Sequence, residues 1–351
     1  MEIIQIAKSL IGFRTISLRK DEINKCMRFI KKSVKQNGNV VFKEYERNGV
    51  KSLLFGFNNI FEPELILCGH VDVVDAKDRQ FTAKVRNQKL YGRGAIDMKG
   101  PTAVLLYLIR NYQKTDKSFS VLLSSDEEVG GENGVKYVLT QIKPKFAIIA
   151  EESGFDITVK QKGKARLKIS TKGVSGHGSN PDDNKNAIIL LFGVYNAIRG
   201  IVKGKTSDGA TFNIGVINGG TANNVIPGEA YFEVDFRFPD KFVFDNKLRE
   251  LEKRMRNKAK IEVISYSPPM SSGLNSKKYI ELLKKVLEKY SITPKLKATN
   301  YSGDGRYFSE RNIPVIEFGP VGTNYHADDE YADIESLNTY YEILNLFIKE
   351  L

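Results

Sequence analysis

The sequence of 351 residues contains no tryptophan, two cysteines and three histidines, and it has no long hydrophobic run. Cys26 and Cys68 lie in apolar patterns and do not form a Cys-x-x-Cys pair, so we expect two buried thiols in a reducing compartment. No apolar stretch approaches the ~20 residues that cross a bilayer, and the segment MEIIQIAKSL lacks the pattern of a signal peptide. The sequence therefore predicts a cytoplasmic protein that does not contact a membrane.

Positive charge exceeds negative charge, since 54 lysines and arginines stand against 42 aspartates and glutamates, which gives a formal net charge of +12. The basic residues are scattered along the chain, and no RNA-recognition, zinc-finger or KH motif is present. We therefore predict a solvated basic surface without a nucleic-acid partner. Some of this charge would steer acidic small molecules towards the protein.

Predicted helices and strands alternate in the first part of the chain and again at its end. Apolar runs typical of buried strands occur at residues 40–46, 52–57, 64–70, 120–125, 146–150 and 314–320. Helices are predicted at residues 21–38, 101–114, 276–290 and 332–351. Strands separated by helices favour an α/β catalytic domain with a mostly parallel sheet, formed by residues 1–163 and 272–351.

The pattern changes between residues 164 and 271. Apolar and polar residues alternate there, as in strands with one exposed face, at residues 164–174, 210–219, 229–239 and 260–269. A helix is predicted at residues 184–204, and Gly- and Pro-rich turns separate the elements. We therefore predict that residues 164–271 form a small α+β domain of ferredoxin-like type, inserted into the larger domain.

Polar side chains follow several of the predicted buried strands. In open α/β sheets, ligands bind outside the carboxyl ends of the strands, so side chains that follow different strands are expected to converge there. Another acidic residue lies in a Gly-rich turn, YGRGAIDMKG, just before a predicted helix. The residues in these positions are His70, Asp72, Asp97, Asp126, Glu127, Glu128, Glu151, Glu152 and His326.

Histidine and carboxylate ligands without cysteine favour zinc, cobalt or manganese. Two of the three histidines, His70 and His326, follow predicted buried strands. Residues i and i+2 of a strand share a face, so Asp72 would hydrogen-bond the second ring nitrogen of a metal-bound His70. The alternative is that Asp72 caps a turn. Adjacent glutamates such as Glu127 and Glu128 are also common as surface charge.

The motifs extend through most of the chain, and their order and spacing resemble a known family. The motifs are GHVDVV, LYGRGAIDMKG, SSDEEVGG, AEESG, GVSGHGSNP, GGTANNVIPGEAYFEVDFR, SGDGRYF and EFGPVGTNYHADDEY. The family is that of the zinc-dependent metallopeptidases and amidohydrolases, which contains succinyl-diaminopimelate desuccinylase, acetylornithine deacetylase and glutamate carboxypeptidase. In this family the inserted domain serves as a lid and dimerisation domain.

The resemblance implies two divalent metal ions, zinc or else cobalt or manganese. Asp97 would bridge the two ions. His70 and Glu151 would complete one metal site, and Glu128 and His326 would complete the other. The family also implies a cis peptide bond after the bridging aspartate.

The remaining roles are implied in the same way. Glu127 would be the general acid/base, and Asp72 would orient a metal-bound histidine. His177, in the inserted domain, would polarise the scissile carbonyl, either in its own site or in that of a dimer partner. The substrate-contacting positions would be Asn224, Arg237 and Arg306. Arginines suit acidic substrates because they pair with carboxylates in a bidentate manner, although surface salt bridges are the alternative.

The chain departs from the family pattern at two positions. Glu152 stands where many relatives have proline, so either Glu151 or Glu152 could be the ligand, and the register of AIIAEESG favours Glu151. Asp75 also replaces a frequent proline. These departures do not affect the predicted metal chemistry, but they make the assignment of the substrate less specific.

The resemblance predicts a dimetal hydrolase that cleaves the amide bond of an N-acyl amino acid, most like succinyl-diaminopimelate desuccinylase. An acetylornithine or acetyl-lysine deacetylase, and a di-/tripeptidase or carboxypeptidase, are the alternatives within the family. A noncatalytic binding protein on the same fold is the alternative of another class. The expected partners are a small N-acyl amino acid or short peptide and a second copy of the chain, bound through the inserted domain.

Overall fold

The structure is a computed structural model that describes residues 2–17, 19–112, 117–201 and 209–351. It divides into a first unit, Met1–Lys160 with Ser271–Ala298 and Gly303–Leu351, and a second unit, Gln161–Met270 with Thr299–Ser302. The short segment 299–302 was assigned from the sequence to the larger domain. It belongs to the second unit because the amide of Lys162 donates to the carbonyl of Thr299, at 3.2 Å.

The elements are numbered along the chain. The α-helices of the described residues are α1 (Glu2–Gly12), α2 (Lys20–Val34), α3 (Lys99–Asn111), α4 (Val135–Val138), α5 (Ala187–Ile201), α6 (Lys241–Met255), α7 (Lys277–Glu288), α8 (Gly305–Glu310) and α9 (Ile334–Glu350). The strands are β1 (Val41–Arg47), β2 (Val50–Phe57), β3 (Leu65–His70), β4 (Lys84–Arg86), β5 (Lys89–Tyr91), β6 (Phe119–Ser124), β7 (Ala147–Ile149), β8 (Ile157–Gln161), β9 (Gly163–Lys172), β10 (Gly176–His177), β11 (Thr211–Gly219), β12 (Val225–Ile226), β13 (Glu229–Phe238), β14 (Lys260–Ser267), β15 (Met270–Ser271), β16 (Leu296–Thr299), β17 (Val315–Glu317), β18 (Gly322–Thr323) and β19 (Tyr331–Asp333). Short 3₁₀ turns occur at Asp78–Phe81, Glu127–Val129 and Leu274–Ser276.

The central sheet has the strand order β1-β2-β6-β3-β7-β17-β8-β15, and β16 pairs with β8. Its middle strands β6, β3, β7 and β17 are mutually parallel, whereas β1, β2 and β8 are antiparallel to their neighbours. A smaller antiparallel sheet has the order β18-β19-β5-β4. The predicted α/β class with a mostly parallel central sheet is confirmed.

Burial patterns explain these elements. Every residue of β3 and β6 is buried, which is typical of strands covered on both faces. Helix α2 buries Ile23, Cys26, Met27 and Ile30, which are three or four residues apart and so form one face of the helix. These side chains join one apolar cluster with residues of the sheet and of the helices α1, α3, α7 and α9.

The second unit contains the element sequence β9-α5-β11-β13-α6-β14, and its antiparallel sheet has the order β11-β13-β9-β14. Two βαβ-like halves with this strand order form the predicted ferredoxin-like arrangement. Alternate residues of β9 are buried, as expected for a strand with one face on a core. Helix α6 was not predicted, because its sequence KFVFDNKLRELEKRM is dominated by charged residues.

The predicted helices are present, with ends that differ by a few residues. Residues 113–114 and 202–204, at the ends of two of these predictions, lie outside the described residues. The helices α1, α4, α6 and α8 were not predicted. Within the described part of the chain, no helix has both the length and the apolar character needed to cross a membrane.

The carboxyl ends of the parallel strands position the polar residues. Strand β3 ends at His70, β6 ends just before the turn that carries Glu127 and Glu128, and β7 ends two residues before Glu151. Because these strands are parallel neighbours, their ends lie at one edge of the sheet. The Asp97–Met98 peptide bond at the start of α3 is cis, as the resemblance predicts.

Candidate metal centre

Asp97 lies between two histidines from distant parts of the first unit. Its Oδ1 atom is 3.1 Å from His70 Nε2, and its Oδ2 atom is 3.1 Å from His326 Nε2. Each oxygen of one carboxylate therefore faces a different imidazole. This is the arrangement required of a carboxylate that bridges two metal ions.

Each histidine also faces a second carboxylate. Glu151 Oε1 is 3.3 Å from His70 Nε2, and Glu128 Oε2 is 3.3 Å from His326 Nε2. The residues thus form two groups of three ligand atoms that share Asp97, one group with His70 and Glu151 and the other with Glu128 and His326. These are the five ligands that the resemblance implies, brought together from five separate segments.

The orientation of His70 is fixed by a main-chain atom. Its Nδ1 atom donates to the carbonyl oxygen of Asp72 at 2.9 Å, whereas the carboxylate Oδ1 of Asp72 is 3.5 Å away. The hydrogen bond predicted from the sequence was one to the Asp72 carboxylate, so the residue is right but the accepting atom is not. A proton on Nδ1 leaves the lone pair of Nε2 directed at Asp97 and Glu151, as metal binding through Nε2 requires.

The carboxylate of Asp72 supports a different part of the centre. It accepts hydrogen bonds from the main-chain amides of Glu127 (3.2 Å) and Glu128 (3.1 Å) and from the hydroxyl of Ser17 (3.1 Å). Asp72 is fully buried, so these donors compensate the cost of burying its charge. Asp72 therefore fixes the 3₁₀ turn from which both glutamates project.

The electrostatic balance of the cluster favours a cation. Burial lowers the pKa of His70, but the carboxylates of Asp72, Asp97 and Glu151 outweigh burial and raise this pKa well above its usual value. Hydrogen bonds to Asp97 and Glu128 raise the pKa of His326 to about 10. The same excess of negative charge attracts divalent metal ions, which displace protons from imidazoles. The residues present thus fit two metal ions with nitrogen and oxygen ligands.

Glu127 belongs to neither group of ligands, although it precedes one of them in sequence. Burial raises its pKa well above the usual value, and the carboxylate of Asp304 raises it further. A raised pKa favours the proton-binding form of a glutamate and so assists proton transfer in both directions. These properties suit the predicted role of Glu127 as acid and base.

The structure distinguishes the two glutamates that the sequence left as alternatives. The carboxylate of Glu151 is part of the group with His70, and burial followed by the charge of Asp97 raises its pKa to about 7. Among the described residues, Glu152 belongs to neither ligand group. Glu151 is therefore the better candidate ligand.

Three predicted site residues lie in the second unit. His177 is exposed on β10, and its Nδ1 atom accepts hydrogen bonds from the hydroxyl (2.8 Å) and the amide (3.2 Å) of Ser179. The remaining proton of a neutral imidazole is then on Nε2, where it is available to a substrate oxygen. Asn224 is also exposed. Arg237 forms a bidentate pair with Asp235, at 2.7 and 3.0 Å, so an incoming carboxylate would have to compete with that partner.

Arg306 does not reach a solvent-facing position, since only 3% of it is exposed. Its guanidinium donates to the carbonyls of Gly303 (2.8 Å) and Gly130 (2.6 Å), and Tyr307 also donates to Gly130. Gly130 ends the 3₁₀ turn that carries Glu127. These contacts favour a positioning role for Arg306 over the predicted contact with substrate.

Sequence reasoning overlooked three residues beside the cluster. Tyr325 is half exposed and its ring lies perpendicular to that of His326, with centroids 6.0 Å apart. Arg93 and Glu330 form a buried ion pair that joins the loops of Asp97 and His326. All three lie within the quoted motifs, close to predicted ligands, and that proximity was the only signal available in the sequence.

Comparisons with known proteins agree with this geometry. A model of the peptidase family M20/M25/M40 matches residues 66–350. The succinyl-diaminopimelate desuccinylase of Rickettsia massiliae is 29% identical over 388 aligned positions, which cover 99% of this chain and 99% of that protein.

Solved structures show the same fold at lower sequence identity. A tripeptidase from Staphylococcus aureus has a TM-score of 0.84 at 18% identity, covering 99% of this chain and 97% of that one. A metallo-carboxypeptidase of family M20 from Sulfolobus solfataricus has a TM-score of 0.78 at 17% identity, covering 99% of both chains.

The assignment of Glu151 is tested by a matched pair of variants, Glu151→Gln and Glu152→Gln. We expect Glu151→Gln to lose bound metal after dialysis, because an amide is a poorer ligand than a carboxylate. Glu152→Gln should retain two equivalents, as measured by elemental analysis of the dialysed protein. Loss of metal from Glu152→Gln alone would reverse the assignment.

Proposed function

The chain belongs to peptidase family M20/M25/M40, and from this premise we propose that its metal-dependent hydrolysis acts on the amide bond of N-succinyl-diaminopimelate. The proposal rests on one observation above the others. The two oxygens of Asp97 face the Nε2 atoms of His70 and His326, and Glu127 is adjacent in sequence to one of the ligands. Two metal sites beside a separate proton carrier can together hydrolyse an amide bond.

Two divalent metal ions, usually zinc in this family, would be held by His70, Asp97 and Glu151 and by Asp97, Glu128 and His326. The chemistry that such ions supply is Lewis acidity, which polarises an amide carbonyl and lowers the pKa of a water molecule.

Glu127 moves the proton in the proposed reaction. Its carboxylate takes one proton from the attacking water and gives it to the leaving amine nitrogen, so that the amide C–N bond breaks. The carboxylic acid that forms gives up the second proton of the water, and a carboxylate and an ammonium group are released. Asp72 keeps Glu127 and Glu128 at fixed positions through their main-chain amides. The predicted role of His177 is to donate its Nε2 proton to the carbonyl oxygen as negative charge develops there.

The substrate assignment is supported by the curated relative, which aligns over nearly the whole of both chains and is named a succinyl-diaminopimelate desuccinylase. N-Succinyl-diaminopimelate carries several carboxylates, and the net charge of +12 favours the approach of such a molecule. The contact of Asn224 and Arg237 with substrate remains a prediction, and so does the cytoplasmic location.

We also propose that the chain forms a homodimer through its second unit. Phe192 on α5 is 51% exposed, and Ile217 on the edge strand β11 is 61% exposed. A β-bulge between Ile214 and Val216 interrupts the register of β11, and Val216 beyond it is also exposed. An edge strand with exposed apolar side chains favours pairing with a second chain.

Replacement of Glu127 separates catalysis from metal binding. We expect Glu127→Gln to keep both metal ions but to lower the turnover of an N-acyl amino acid by ~10²–10⁴-fold, because only the proton carrier is removed. The control is Asp97→Asn, which should lose both metal ions as well as activity. Full turnover in Glu127→Gln would contradict the role of Glu127.

The substrate is tested by comparing kcat/KM for N-succinyl-diaminopimelate, N-acetylornithine and a simple dipeptide with added zinc. We expect the succinyl substrate to give the highest value, and chelator-treated protein provides the baseline. Preference for either of the other compounds would refute the substrate assignment, but it would leave the proposed metal-dependent amide hydrolysis in place. Two bound metal ions without hydrolysis of any compound would favour a noncatalytic binding protein.

The dimer is tested by light scattering of the purified protein, which should give twice the mass of one chain. Ile217→Lys should give monomers, because the charge would be buried without a partner at the proposed interface. The comparison variant is Val263→Lys on the other edge strand β14, which also exposes apolar side chains; it should remain dimeric, and the opposite result in both variants would place the interface on β14. A monomeric wild-type protein would refute this assembly.

A further inference from the structure

The ion pair between Arg93 and Glu330 connects the two loops that supply ligands from outside the central sheet. Arg93 Nη1 donates to Glu330 Oε2 at 2.8 Å, and Arg93 Nη2 donates to the main-chain carbonyl of His326 at 3.0 Å. The exposed fractions of the two side chains are 3% and 1%. The guanidinium therefore holds the backbone of a metal ligand from inside the protein.

Glu330 holds the loop that ends at Asp97. Its Oε2 atom also accepts from the amide of Gly94 at 3.1 Å, and its Oε1 atom accepts from the amides of Ile96 (3.1 Å) and Asp97 (3.2 Å). With the bond from Arg93, four donors occupy the two oxygens. A carboxylate saturated in this way is not available as a metal ligand, so its contribution is the position of the residues it binds.

We propose that Arg93 and Glu330 are positioning residues that set the separation of Asp97 and His326, and so determine metal affinity at the group formed by Asp97, Glu128 and His326. This inference rests on the proposed function, because it assumes that metal ions bind there. It adds to that function two residues that position the ligands of the group formed by Asp97, Glu128 and His326.

The two metal groups differ in their other supports. His70 ends β3, and Glu151 follows β7, which pairs with β3 in parallel register up to Cys68 and Ile149. The amide of Ala150 continues this pairing by donating to the carbonyl of Cys68 at 2.9 Å. The ladder of the central sheet thus fixes His70 and Glu151, two of the three ligands of the first group, without Arg93.

In the part of the chain that the structure describes, no strand of the central sheet ends at His326. It lies in a loop between β18 and β19, its side chain is 48% exposed, and its backbone has a positive φ of 65°. Positive φ is strained in a residue with a Cβ atom and persists only where surrounding contacts enforce it. The bond from Arg93 to the carbonyl of His326 is such a contact. Gln80 provides a second one, because its side-chain amide donates to the carbonyl of Ala327 at 3.1 Å.

Two variants remove parts of this arrangement with little change in volume. Arg93→Lys keeps the charge, but a single ammonium cannot reproduce the fork that reaches both Glu330 and the carbonyl of His326. Glu330→Gln replaces one acceptor oxygen by an NH₂ group, which would face two N–H donors instead of accepting from them. The control is Asp328→Asn, in the same loop, where the exposed carboxylate forms ion pairs with Lys77 and Arg79 on the surface.

The experiment is a titration of chelator-treated full-length protein with Co²⁺, followed by calorimetry and by the visible absorption of the bound ion. Wild type and Asp328→Asn should bind two equivalents with the same affinities. In Arg93→Lys the affinity for one equivalent should fall by ~10–100-fold, the usual effect of replacing a residue that supports metal ligands, while the other is unchanged. Glu330→Gln should weaken both equivalents, because Glu330 also accepts from the amide of the shared ligand Asp97.

Unchanged affinities in Arg93→Lys would overturn the inference, and so would an equal loss of both equivalents, because either result denies a selective effect on the group of His326. If Glu330→Gln fails to fold, Arg93→Lys alone decides between these outcomes. A wild-type protein that binds no Co²⁺ would overturn the proposed function, and the inference with it. Two equivalents in wild type with unchanged variants would overturn the inference alone.

Discussion

The carboxylate of Asp97 determines the geometry of the centre, because its two oxygens must face two histidines at the same time. Both distances are 3.1 Å, so a small shift of this side chain would lengthen one contact as it shortened the other. The cis peptide bond that follows Asp97 and the hydrogen bond from its own amide to Glu330 both act on the backbone at this position. The rest of the site consists of segments arranged around this carboxylate.

Burying several carboxylates close together costs free energy, and two kinds of contact offset that cost in this protein. Asp72 and Glu330 are buried, but main-chain amides surround their oxygens, which makes them supports for neighbouring backbone. The ligand carboxylates instead face imidazoles and would be neutralised by metal ions. The carboxylates around the centre therefore have two roles. Those that accept from main-chain amides support the backbone, and those that face imidazoles are the candidate metal ligands.

The sequence predicted the residues that strand ends deliver, because an apolar run followed by His70 or Glu151 has a direct structural meaning in a parallel sheet. It did not predict the contacts of Arg306, which was expected to meet substrate but binds the carbonyl of Gly130. Burial of a charged side chain depends on loops from elsewhere in the chain, and periodicity carries no information about them. Helix α6 was overlooked for a different reason, because charged residues dominate its sequence and obscure an apolar face. Strand β9 was predicted because its apolar and polar residues alternate.

The discontinuous first unit has a consequence for the order in which the protein can form. Strand β7 pairs with β17, so Ile148 lies beside Ile316, and the ligand His326 follows even later in the chain. On a ribosome the candidate ligands near the amino terminus leave the exit tunnel well before these partners exist, whereas the second unit is nearly contiguous, since it consists of Gln161–Met270 with Thr299–Ser302. A contiguous segment can fold once it has left the tunnel, so the second unit can form during synthesis, while the first unit must wait for residues 271–351.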